Sequence, residues 1–190
     1  MFILASASPR RQTLLARLGV VPDQIVPPNV DESPLKGELP RPYVERLARN
    51  KALFVHQQYP EAVVLSADTV VACGRRILPK ADDYDIAKKC LRLLSGRRHL
   101  VMTSICLFKP NGQVMQRTVK TFVYFKRLSQ PEIEGYLATN QWTGKAGGYA
   151  IQDSAECLVI KIQGSHANII GLPLYETRNL LIQGGINCVF

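Results

Sequence analysis

Apolar positions along the chain change their period repeatedly, and each change marks an element. Ile3-Leu4-Ala5 reads as a short strand. Ser8-Pro9 then supplies an N-cap followed by proline at the first helical position, which starts a helix through Leu14, Leu15 and Leu18. Prolines at 22, 27, 28, 34 and 40 leave only a brief strand at Gln24-Ile25-Val26, so this stretch is mostly loop. From Pro42 to Gln58, helical spacing places Val44, Leu47, Ala48, Phe54 and Val55 on one side. Ala62-Val63-Val64-Leu65 reads as a buried parallel strand ending at Ser66-Ala67-Asp68-Thr69, with a hairpin of Val70-Val71-Ala72 and Arg76-Ile77-Leu78 after it.

Asp82, Asp83 and Asp85 bring acid to the start of a helix that stops at Ser95-Gly96. Two strands over 99–108 and 113–126 flank Pro110-Asn111-Gly112, a strong hairpin signal. Ser129 and Glu132 have capping-box spacing, and a Gly-rich loop from Gly144 to Tyr149 precedes a strand around Cys157 to Ile162. A last helix runs from near Pro173 to Gly184-Gly185. This alternation predicts a mixed α/β fold: a twisted sheet flanked by helices, in two lobes with a central cleft, spanning residues 1–190 as a single domain.

Composition adds a sign of charge. The 24 Lys+Arg exceed the 15 Asp+Glu, so the chain suits an anionic partner: phosphate ester, nucleic acid or membrane surface. No stretch approaches the roughly 20 apolar residues of a spanning helix, which argues against a membrane role and for the cytoplasm. Five dispersed cysteines form no Cys-x-x-Cys pair, and three dispersed histidines form no zinc signature. The basic run Lys88, Lys89, Arg92, Arg97 and Arg98 lacks interleaved aromatics, so nucleic acid is disfavoured.

Candidate chemistry collects at two strand ends. Ser6-Ala7-Ser8-Pro9-Arg10-Arg11 combines hydroxyls, free helix N–H groups and two guanidinium forks at a strand-to-helix junction, a combination suited to phosphates. Its bland alternative is a capped helix with solvated arginines. Asp68-Thr69 lies where open α/β sheets place ligands and catalytic groups, although an Asp there also suits a plain turn. Lys51, Lys80 and Glu32 are uninformative singly, and the Gly144 loop lacks P-loop spacing.

Taken in order, Leu4 to Arg11, Val30-Asp31-Glu32, Arg46 to Ala52, Ala67-Asp68-Thr69, Leu94-Ser95-Gly96, Lys145 to Gln152 and Gly171 to Leu174 resemble the Maf family of nucleotide pyrophosphatases over nearly the whole chain. The resemblance implies hydrolysis of a nucleoside triphosphate between its α and β phosphates, helped by Mg²⁺ or Mn²⁺. By that resemblance Asp68 is the proton acceptor, Ser6, Arg10, Arg11, Lys51 and Lys80 grip phosphates, and Glu32 serves the metal or phosphate. Arg11, Thr69 and Gln152 sort substrates, in a pattern similar to the branch acting on dTTP and UTP. Ser66, Ala81 and Asp153 depart from the residues usual in the family, and Ala81 weakens the assignment of Lys80. A 7-methyl-GTP pyrophosphatase and a non-enzymatic nucleotide- or nucleic-acid-binding regulator of cell division are the alternatives, and a homodimer is left open.

Overall fold

The computed structural model describes residues 1–189. Among these residues, nine strands lie at Phe2–Ala5 (β1), Gln24–Ile25 (β2), Val63–Cys73 (β3), Arg76–Leu78 (β4), Lys80–Ala81 (β5), Arg98–Phe108 (β6), Val114–Phe125 (β7), Lys145–Ala146 (β8) and Val159–Gln163 (β9). Six helices lie at Pro9–Ala16 (α1), Pro40–Gln58 (α2), Tyr84–Leu94 (α3), Gln130–Ala138 (α4), His166–Ile170 (α5) and Leu174–Gln183 (α6). A seven-stranded mixed sheet runs β2-β1-β3-β6-β7-β9, with β4 also on β3, and β5 pairs β8 in a second, two-stranded sheet. No helix among the described residues is long and apolar enough to cross a membrane.

Strand alternation divides the core. Phe2 and Leu4, Val63 and Leu65, and Ile105 and Leu107 face the apolar sides of α1 and α6. Their neighbours Ile3, Ala5, Val64, Cys106 and Phe108 face Ala48, Ala52 and Val55 of α2. A third cluster joins Leu91 and Leu94 of α3 to Ile133 and Leu137 of α4 over Val101, Val123 and Phe125. These period-2 faces meeting period-3.6 helices are what the hydrophobic pattern anticipates.

Three local expectations need correction. The strand expected to end at Ser66-Ala67-Asp68-Thr69 runs on through the expected hairpin arm Val70-Val71-Ala72 to Cys73 as one element. Turn-forming side chains are overridden there by the ladder with β6, which runs unbroken from Val64 opposite Phe108 to Ala72 opposite Leu100. Helix α2 begins at Pro40, two residues before the expected start, because proline costs nothing in a first turn whose N–H groups have no helical partner. Residues Ser154–Leu158 form a 3₁₀ turn, so the strand expected from Cys157 starts at Val159.

The most consequential feature is a gap along one edge of β3. β1 pairs with residues 63–66 and β4 with residues 71–73. Between them, β3 has no strand neighbour on that side, because the chain leaves β1 at Ser6 and turns into α1. Asp68 and Thr69 occupy that gap.

The Gly-rich loop is an ordered part of this architecture. The N–H of Gly147 donates to the Pro79 carbonyl at 3.0 Å and that of Gly144 to the Ala81 carbonyl at 2.8 Å, which clamps the β5–β8 pair. Gly147 has φ +72°, and a Cβ there would lie 2.8 Å from Val71. Gly147→Ala is therefore expected to lose about 1–2 kcal/mol from the left-handed backbone, plus the cost of displacing Val71. Gly74, at φ +60° with open space around it, isolates the first effect. Urea midpoints should fall further for Gly147→Ala than for Gly74→Ala, and equal shifts would show that the Val71 contact is inconsequential.

Candidate active site

Alternation along β3 sends consecutive side chains to opposite sides of the gap. Ser66 and Asp68 point toward α2: the Ser66 hydroxyl donates to the Ala48 carbonyl at 2.5 Å, and Asp68 Oδ1 accepts from Lys51 Nζ at 2.5 Å. Thr69 points toward α1, where its Oγ1 accepts from Arg11 Nη2 at 3.4 Å. Two neighbouring residues thereby serve two different halves of one cleft.

On the α2 side, Lys51 sits in helical register with Ala48, Ala52 and Val55 and is only 6% exposed. Burying an ammonium is costly unless carboxylates surround it. Two do: Asp68 at 2.5 Å and Glu32 Oε1 at 2.6 Å, the latter delivered by the Pro-rich loop. The second oxygen of Glu32 pairs with Lys80. Partial burial alone would raise the Glu32 carboxyl, but the two lysines outweigh it and hold the pKa at about 2. The Tyr43 hydroxyl donates to the Glu32 carbonyl at 2.9 Å and secures the loop.

On the α1 side, Arg11 donates through Nε to the Gly171 carbonyl at 3.0 Å and through Nη1 to Ser6 Oγ at 2.9 Å. Thr69 Oγ1 lies 2.9 Å from Thr103 Oγ1, which donates to the Asn168 carbonyl at 2.8 Å. Burial lowers the Arg11 guanidinium pKa, Asp68 opposes that, and Arg10 reinforces it. Arg10 Nε is buried without a protein partner. Burial also lowers the Arg10 pKa, against the attraction of Asp153.

Ser6, Arg10, Arg11, Glu32, Lys51, Asp68, Thr69, Lys80 and Gln152 all line one cleft of about 560 Å³, a size suited to a small-molecule ligand. Lys80 reaches it through the β5–β8 pair, although Ala81 follows it. Gln152 is exposed and donates through Nε2 to Asp153 Oδ2 at 2.9 Å. The basic run over 88–98 lies outside the cleft, with Lys88 paired to Glu134 at 2.6 Å and Arg98 over the Phe122 ring. Tyr43, Thr103 and Asn168 were not singled out by sequence reasoning. Nothing in the order of residues signals that Thr103 or Asn168 would stand behind Thr69.

With this geometry in place, comparison with known proteins identifies the class: the chain belongs to the family of Maf-like proteins, whose model matches residues 1–184. It is 58% identical to the dTTP/UTP pyrophosphatase of Paramagnetospirillum magneticum over 95% of both chains. It is 57% identical to the dTTP/UTP pyrophosphatase of Rhodospirillum rubrum, covering 96% of this chain and 87% of that protein. In fold it is similar to the Staphylococcus aureus Ham1 protein, with a TM-score of 0.51 over 97% and 98% of the two chains at 11% identity.

Lys51 and Asp68 differ in what their loss would leave behind. Asp68→Asn keeps the shape and leaves Lys51 paired with Glu32. Lys51→Met leaves a buried carboxylate, 5% exposed, without its cation. Breaking one partner from a buried pair costs about 3–5 kcal/mol. Lys51→Met should therefore be the more destabilising of the two by chemical denaturation, and the reverse order would remove Lys51 from its central place.

Proposed function

We propose that the chain is a nucleoside triphosphate pyrophosphatase of the cytoplasm, acting as one domain on dTTP and UTP to release the monophosphate and pyrophosphate. The observation that carries this reading is the ion-paired row Asp68–Lys51–Glu32–Lys80, set in the strand gap opposite Arg10 and Arg11. A polyphosphate needs several cations to spread its charge, while a carboxylate orients the attacking water.

In this reading Asp68 accepts the proton of the water through Oδ2, since Lys51 already occupies Oδ1. Lys51 keeps that carboxylate fixed and presents positive charge to the phosphates as the anhydride bond between the α and β phosphates breaks. Ser6, Arg10, Arg11 and Lys80 hold the phosphates from the facing walls. Thr69 is backed by Thr103 and Asn168, so that it and Arg11 form a rigid wall rather than a mobile surface.

Mg²⁺ or Mn²⁺ suits the donor set. Glu32 and Asp68 flank the Lys51 ammonium and offer hard oxygens, but Oε1 and Oε2 of Glu32 and Oδ1 of Asp68 already pair with lysines, so an ion would sit beside this cluster and be held chiefly by the substrate. No group of three His, Cys, Asp or Glu able to hold a metal occurs among the described residues, so the remaining ligands would be substrate phosphates and water. The ion would neutralise phosphate charge and polarise the bond that breaks.

A panel of nucleoside triphosphates with product identification tests this reading. Higher kcat/KM is expected for dTTP and UTP than for dCTP, CTP, ATP or GTP, with monophosphate and pyrophosphate as products. A preference for 7-methyl-GTP would overturn the substrate assignment alone. Asp68→Asn should lose about 10² to 10⁴-fold in turnover, the usual share of a general base, and near wild-type turnover in the folded variant would overturn its role. Activity should vanish on exhaustive chelation and return with Mg²⁺ or Mn²⁺. Full activity without either ion would remove the metal from the mechanism.

A further inference from the structure

Asp153 stands beside Gln152 where it can decide which way the amide faces. An amide presents a donor at one end and an acceptor at the other, and exchanging them costs nothing unless a neighbour discriminates. Asp153 discriminates: its carboxylate only accepts, and Gln152 Nε2 donates to Oδ2 at 2.9 Å. The opposite orientation would set Oε1 against the carboxylate, two acceptors facing each other. The amide assignment is therefore dictated by charge rather than by shape. Asp153 also lines the cleft, near enough to Arg10 and Lys145 for its charge to oppose the lowering of their pKa by burial, though it makes no ion pair with either. Its side chain caps no helix, although its backbone precedes the 3₁₀ turn.

We infer that Asp153 is a positioning residue for base selection: by holding Nε2 it locks Gln152 in the one orientation that matches a uracil or thymine edge. This rests on the dTTP/UTP reading and on Gln152 meeting the base. In the locked state Oε1 accepts from the N3–H of such a base, and the remaining Nε2 hydrogen donates to O4. Cytosine offers the reverse pattern, an amino donor and a bare ring nitrogen, and needs the amide turned over. Turning it would break the bond to Asp153 and bring two acceptors together, so discrimination against cytosine is built into the protein rather than arising only on binding. Removing the acidic charge also alters the field on Arg10 and Lys145, but phosphate contacts are shared by all the nucleotides. The ratio between bases is thus the diagnostic quantity.

The test measures kcat/KM for dTTP, dCTP, UTP and CTP in the wild type, Asp153→Asn, Asp153→Ala, Gln152→Ala and the Gln152→Ala/Asp153→Asn double variant. Asn can donate or accept and so accommodates both amide orientations, while Ala constrains neither. Both single Asp153 variants should narrow the dTTP:dCTP and UTP:CTP ratios by at least about fivefold, mainly through faster reaction of the cytosine nucleotides. In the Gln152→Ala background, Asp153→Asn should leave the ratios unchanged. Unaltered ratios in both single variants, or equal changes in all four nucleotides, would overturn the positioning role and leave the pyrophosphatase reading intact. A wild type without preference for thymine or uracil would instead overturn the substrate reading on which the inference stands.

Discussion

The site is organised by one buried cation. Lys51 lies at 6% exposure on a face of α2 that otherwise carries Ala48, Ala52 and Val55, and an ammonium there is tolerable only because Asp68 and Glu32 meet it at 2.5 and 2.6 Å. That requirement ties together three segments distant in sequence: the central strand, the long helix and the Pro-rich loop. Glu32 passes the constraint on to Lys80, and through Lys80 to the β5–β8 pair and the Gly-rich loop. The loop that a sequence presents as irregular is thus held by electrostatics on one side and by Tyr43 on the other.

This arrangement needs the interruption in the sheet. A strand bonded to neighbours on both edges along its whole length would leave no room beside Asp68. Here β1 stops at Ala5 and β4 begins to pair only at Val71, while β6 supports the opposite edge continuously from Val64 to Ala72. The strand is therefore rigid where the cleft requires rigidity and open where it requires access. Alternation then assigns Asp68 to the ion-paired wall and Thr69 to the wall of Arg11, Thr103 and Gly171. In the proposed reading, reaction and recognition are then separated by a single step along the backbone.

Periodicity made the larger elements legible. The faces of α2 and α3, the long β6–β7 hairpin around Asn111-Gly112 and the capping box of Ser129 and Glu132 all follow from local pattern and turn chemistry. The continuation of β3 through Asp68 was not legible, because local preference reads Ser-Ala-Asp-Thr as a turn and only pairing with β6 makes it strand. The β5–β8 pair was hidden for a different reason: two residues contain no period. Among the residues that line or back the cleft, those in recognisable motifs are legible in the sequence. Thr103 and Asn168 are not, since their positions depend on tertiary register, which brings Thr103 opposite Thr69.

Charge within the cleft clarifies why the site combines lysines with acids instead of simply accumulating cations. Five cationic side chains line it, Arg10, Arg11, Lys51, Lys80 and Lys145, against three acidic ones, Glu32, Asp68 and Asp153. The local net charge of +2 is a small part of the chain's formal +9, so most of the positive charge lies outside the cleft. Each acid also restrains a neighbour: Asp68 and Glu32 hold Lys51, Glu32 holds Lys80, and Asp153 holds Gln152. A cleft of unpaired lysines and arginines would bind polyphosphate with mobile side chains and lose conformational entropy on each encounter. Pairing Lys51 and Lys80 beforehand gives up some attraction and fixes their positions. In the proposed reading, the charge left unneutralised on a bound triphosphate would be an opening for a divalent cation, near the only two carboxylates that share a lysine in the cleft among the described residues.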